Sequence, residues 1–151
     1  MRRAYVVRQA GLWDNAAAID RVVLDASERH RRRLVLTAER GTTLLLDLPH
    51  ATTLRDGDGL VLDDGAVVGV IGKPEPLHEI AAADACELAR LAWHLGNRHA
   101  EVQVVGDRLR IRRDHVLAQM LERLGATVTA IEAPFDPESG AYDSHPHERG
   151  T

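Results

Sequence analysis

At 151 residues, with 44% hydrophobic and 28% charged side chains, the chain has enough apolar material for one modest core or two small ones, which argues against wholesale disorder. A net charge of -4 does not draw phosphate polyanions or anionic lipid to the surface as a whole, so nucleic acid and membrane are not expected partners. No apolar stretch approaches the roughly 20 residues that a spanning helix needs, and Met1-Arg2-Arg3-Ala4-Tyr5 leads into no signal-type apolar run, so a cytoplasmic location is expected.

The first half reads as short strands: Val22 to Leu24, Leu34 to Ala38, Leu44 to Leu48, Leu60 to Leu62 and Ala66 to Ile71. Turn signals separate them, namely Glu39-Arg40-Gly41, Asp56-Gly57-Asp58-Gly59 and Asp63-Asp64-Gly65. Within Arg33 to Ala38 the alternation puts Leu34, Leu36 and Ala38 on one face, the mark of a half-buried strand. A small all-β domain, a sandwich or open barrel, is therefore expected over residues 1–73. Lys73-Pro74-Glu75-Pro76 then breaks the pattern, because each proline fixes φ and removes a backbone donor.

The second half changes period. After a strand-like run from Leu77 to Ala82, Asp84 is placed to cap a helix, with Glu87 in the acceptor position of a capping box. Leu88, Leu91, Ala92 and Leu95 give that helix one apolar face, which Gly96 and Asn97 are expected to end. Two strands follow, Val102 to Val105 and Leu109 to Arg112. Asp114 caps a second helix with apolar Val116, Leu117, Met120, Leu121 and Leu124, Gly125 ends it, and Thr127 to Ile131 makes a last strand. The order β-α-β-β-α-β predicts a ferredoxin-like domain over 74–136, giving an α+β protein overall. From about Asp136 proline, glycine, serine and charge predominate, and a disordered tail over 137–151 is expected.

A single cysteine, Cys86, leaves no thiolate cluster within one chain, so any transition metal must rely on imidazole. Of eight histidines, His94 inside the first helix beside Trp93 reads as a packing residue. His99 falls on the turn beyond the helix, where its ring is not committed to the helix face. His115 follows the cap Asp114, and the partial positive charge of a helix N-terminus favours a neutral ring that can offer a lone pair. His145 and His147 form a His-x-His spacing in the tail, which suits either a metal site or a solvated end. Spacing alone is weak support, since the folded part holds no close histidine pair.

The stretch His94-Leu95-Gly96-Asn97-Arg98-His99 resembles a segment of the urease accessory protein UreE family. Asp114 to Leu121 followed by Leu124-Gly125, and Ala133 to Tyr142, are similar to further segments of that family in the same order. Arg31-Arg32-Arg33, Leu46 to Leu48 and Leu54 to Asp58 resemble its N-terminal domain more loosely. The resemblance implies a homodimeric metallochaperone that carries Ni(II), works with the GTPase UreG, and supplies the urease apoprotein-accessory complex. It puts the central ligand on His99, one copy per chain meeting around a single ion. His115, His145 and His147 are the further metal candidates. Where the family often has His-Asp-His, this chain has Arg113-Asp114-His115, and with two histidines in the tail a low metal count is expected. Imidazole also suits Cu(II) and Zn(II), so nickel comes from the resemblance and not from ligand chemistry. The family's N-terminal unit resembles a cochaperone's peptide-binding domain, which implies contact with another protein.

No catalytic residues are expected. Ser27, Ser139 and Ser144 lie in no nucleophile elbow, and Cys86 sits in a helix without a recognisable partner. An RNA-binding domain of the same element order would stack bases on strand aromatics, which Val102 to Val105 and Leu109 to Arg112 lack. The alternative to a nickel carrier is a protein-interaction module with weak or no metal binding of its own.

Overall fold

The turn signals of the first half separate six strands where the alternation predicts five. The computed structural model describes residues 1–139, which divide into two compact units, Met1–Pro74 and a second starting at Glu75. The chain is mixed α+β, with two sheets and two helices.

In the first unit β1 (Arg2–Arg8), β2 (Asp20–Leu24), β3 (Arg33–Thr37), β4 (Thr43–Asp47), β5 (Gly59–Leu62) and β6 (Val67–Gly72) form one sheet in the order β2-β6-β5-β1-β4-β3. β1 is the strand that the sequence does not announce. It pairs antiparallel with β5 and parallel with β4, and a bulge between Ala4 and Val6 upsets its period of two, so Tyr5 and Val6 are both exposed. All six strands feed one apolar cluster that includes Ala4, Leu24, Leu36, Leu46, Leu60 and Val68.

The edge strands β2 and β3 are not paired with each other; a carboxylate and a backbone bond tie β2 to the β3–β4 turn. Asp20, buried on β2, accepts the Arg21 and Arg40 N–H groups at 2.8 Å each and the Thr42 N–H at 3.1 Å, while the Glu39 N–H reaches the Arg21 carbonyl at 2.9 Å. Burial by itself raises the Asp20 pKa, but the hydrogen bonds from Arg40, Thr42 and Arg21 outweigh it and bring the carboxyl to about 2. Trp13 lies over the neighbouring strands: its indole N–H donates to Gly57 O at 3.1 Å, and a Cβ on Gly59 would stand 2.8 Å from the indole ring. Glycine at 59 therefore answers to a close approach.

The second unit runs β7 (Glu75–Ala81), α1 (Ala85–Asn97), β8 (Gln103–Val105), β9 (Arg108–Arg112), α2 (His115–Arg123) and β10 (Thr127–Ala133), with an antiparallel sheet ordered β10-β7-β9-β8. Leu91 and Leu95 of α1 and Leu121 of α2 pack on Ile80, Leu109 and Ile111. The side chains that alternate with these face the other way, where Arg110 pairs with Glu79 at 3.0 Å and Arg112 with Glu75 at 3.3 Å.

Past β10 the chain departs from expectation. Asp136 to Glu138 are held against the sheet, while residues 140–151 of the expected tail lie outside the described residues: Phe135 is buried, the Arg112 guanidinium lies 4.8 Å from its ring centroid, and Asp136 is buried too. The Glu138 N–H donates to Val102 O at 2.7 Å, and a Glu138 carboxylate oxygen accepts the Val104 N–H at 3.2 Å. Residues 134–138 thus form a strap from the β10 edge to the β8 edge, held by one aromatic ring that the proline-rich composition obscures.

Candidate metal-binding site

Helix α1 begins where the capping pattern puts it, with the Asp84 carboxylate accepting the Glu87 N–H at 2.8 Å. Its end is different from expectation. Gly96 and Asn97 do not stop the helix; both are helical, and the chain turns at His99. The His99 N–H donates to Gly96 O and the Ala100 N–H to Leu95 O, each at 3.0 Å. These are the two bonds of a Schellman motif, with His99 at the position that must be left-handed. Its φ is +55°, and among the described residues it is the sole non-glycine with positive φ. A side chain there costs roughly 1 kcal/mol of backbone strain, which is why glycine is preferred at such positions. Histidine occupies it here, exposed, on the loop that leads to β8.

His115 is the first residue of α2 and is also exposed. The preceding Asp114 accepts the N–H groups of Val116 at 2.9 Å and Leu117 at 3.0 Å, so the helix start is firmly capped. Trp93 on α1 and Val116 on α2 are strongly exposed, at 63% and 64%, so each helix presents a large apolar side chain to solvent. His94 is half-buried and packs edge-on against Trp93 with ring centroids 5.1 Å apart, in line with the packing role expected for it.

Arg113, which stands where the resemblance expects a histidine, has an evident structural task. Its guanidinium donates to Ile131 O at 2.7 Å and Leu77 O at 3.3 Å and reaches Glu132 at 3.3 Å, clamping β7 to β10. His78 on β7 is a neighbour that motif reading passes over. Its Nδ1 accepts the Asp114 N–H at 3.3 Å, and burial, helped by the Arg113 charge, holds its pKa below the ordinary imidazole value. A histidine alternating with Leu77 and Glu79 in a strand that helices cover is the signal that could have drawn attention to it.

Among the described residues no group of three or more His, Cys, Asp or Glu side chains is arranged to hold a metal ion. Within one chain, then, His99 and His115 occupy separate elements and do not join such a cluster. His145 and His147 lie outside the described residues. No helix among the described residues is long and apolar enough to cross a membrane.

The family model of the UreE urease accessory protein N-terminal domain matches residues 4–71, and that of the C-terminal domain matches residues 75–151. The urease accessory protein UreE of Bradyrhizobium sp. strain BTAi1 is 55% identical over 150 residues, which cover 99% of this chain and 72% of that protein. The UreE of Chelativorans sp. strain BNC1 is 51% identical over 131 residues, covering 87% of this chain and 83% of its own. That of Beijerinckia indica subsp. indica is 49% identical over 152 residues, covering 97% and 87%.

Proposed function

The chain belongs to the UreE family of urease accessory proteins, and on that premise we propose that it is a cytoplasmic Ni(II) carrier that supplies urease maturation as a homodimer. The observation that carries this reading is His99 at φ +55°. A residue type that costs stability at a site glycine would fill at lower cost points to a task other than folding.

Two-fold symmetry supplies what a single chain lacks. An isologous contact duplicates any residue near its axis, so one exposed histidine per chain becomes a two-imidazole site with no local motif. Exposed Trp93 and Val116, on the helices that position His99 and His115, supply apolar surface for such a contact. In this reading the paired His99 side chains grip one Ni(II) ion, and His115, His145 and His147 are further ligands for loading and release. Cu(II) and Zn(II) also bind imidazole in vitro. The second unit is the ferredoxin-like, metal-binding and dimerisation domain, a reading supported by its strand order. The first unit contacts protein partners, and delivery runs through the GTPase UreG and the urease apoprotein-accessory complex. The protein is an accessory factor without catalytic residues.

Titration of the metal-free protein with nickel in a calorimeter tests this. One tight site per dimer is expected, lost in His99→Ala while the dimer persists in light scattering. A monomer, or nickel binding unchanged in His99→Ala, would refute the assignment and leave the protein-interaction module as the better reading.

A further inference from the structure

The basic run at the start of β3 is not used by the metal site, and the fold gives it a definite surroundings. Arg32 and Asp47 border a groove of about 380 Å³ with Arg3, Tyr5, Leu48 and Pro49. Asp47, whose side chain is 12% exposed, faces three guanidiniums: Arg3 at 2.9 Å, Arg33 at 3.3 Å and Arg32 at 3.9 Å. The arginine side chains stay 49–60% exposed. One carboxylate thus answers three cations and leaves two in excess, each with donors facing solvent. The rim is also held in place. Arg32 donates to Leu48 O at 2.7 Å, and the Arg3 guanidinium lies 5.6 Å from the centroid of the exposed Tyr5 ring.

Resting on the reading that the first unit contacts protein partners, we propose that this groove docks a short acidic peptide segment of a partner protein, its carboxylates on Arg3 and Arg32, with Arg33 beside them across Asp47, and its apolar side chains against Tyr5 and Pro49. Charge complementarity decides the occupant. The chain as a whole carries -4, so a long polyanion or an anionic membrane is repelled beyond the groove, whereas a segment with a few carboxylates meets the cationic rim within about one Debye length, ~8 Å at physiological salt. The groove has apolar surface as well as charge, which a peptide of mixed acidic and apolar residues satisfies and a bare phosphate does not.

Fluorescence anisotropy of the full chain with a labelled peptide of alternating glutamate and leucine tests the proposal. A matched lysine-leucine peptide, an oligothymidylate and phosphatidylserine vesicles serve as competitors. Saturable, salt-sensitive binding is expected, weakened about tenfold by Arg3→Glu or Arg33→Glu and largely retained in Arg33→Lys. Tyr5→Ala is expected to weaken it less. Two guanidiniums remain on Asp47 when Arg33 is replaced, so Arg33→Gln is expected to melt like the parent; should Arg3→Glu or Arg33→Glu unfold, Arg33→Gln replaces it. Equal affinity for the lysine peptide, tighter binding of oligothymidylate or vesicles, or unchanged affinity in the charge reversals would overturn it. Nickel titration of the same variants is expected to be unaltered, so a failure here is separable from a failure of the nickel reading.

Discussion

Helices α1 and α2 end in the same hydrogen-bonded turn. In α2 the Gly125 N–H donates to Glu122 O and the Ala126 N–H to Leu121 O, each at 3.0 Å; in α1 His99 and Ala100 make the equivalent bonds to Gly96 and Leu95 at the same distance. The leucine that accepts is buried in both helices. What differs is the left-handed residue, glycine at φ +96° in α2 and histidine at φ +55° in α1. The two ends solve one problem, the orphaned carbonyls of a last helical turn. Where glycine sits, the solution serves stability alone. Where histidine sits, some stability has been given up, and that local deficit singles out His99 among the histidines.

The strongest way to break the comparison is His99→Gly. It makes the two turns alike, and nickel affinity is expected to fall about 100-fold or more in calorimetry, while thermal melting rises by the equivalent of roughly 0.5 kcal/mol as strain is relieved against glycine's greater chain entropy. If that variant melted below the parent, the ring would be a structural element and the argument from strain would fail. Next in size is Asp114→Ala, which removes the acceptor for two N–H groups; chemical denaturation is expected to show a loss of about 1–2 kcal/mol. Gly125→His then tests whether histidine in such a turn suffices for binding: about 1 kcal/mol of stability is expected to disappear with no second nickel site.

The remaining checks vary pH. His78 has its folded pKa below the usual 6.5, so the unfolded chain takes up the proton first. Its contribution to stability is complete above that value and is lost as pH falls below it, and His78→Gln is expected to flatten that limb of a stability-against-pH curve. Further into acid the first unit is expected to weaken, because Asp20 supports the folded state fully above 3.8 and loses that effect as pH falls towards about 2.

Much of this was legible in the sequence, for identifiable reasons. Asp84 and Asp114 cap their helices as the pattern predicts, since capping is a local exchange between one side chain and the backbone two or three residues on. β1 was hidden because its bulge destroys the alternation that reveals strands. The placing of Asp136 to Glu138 was hidden because it follows a ring, Phe135, beneath Arg112, a contact between residues far apart in the chain. His99 is singled out through family resemblance and not through spacing, since in the proposed dimer symmetry would supply the second ring and no partner is needed nearby in sequence. Its backbone angle could not be read at all, because Gly96 three residues earlier looked like the natural helix stop. His78 and Arg113 escaped for a related reason: their partners lie on other strands and at a helix start.

The strap between β10 and β8 also bears on the loop that precedes β8. Glu138 is moored to Val102, just before β8, and to Val104 within it, so two backbone groups at the edge of the sheet find partners there. Val102 stands three residues beyond His99 in the sequence, so the same mooring also pins the far end of the short loop that carries this histidine, and slack introduced at Glu138 reaches that loop directly.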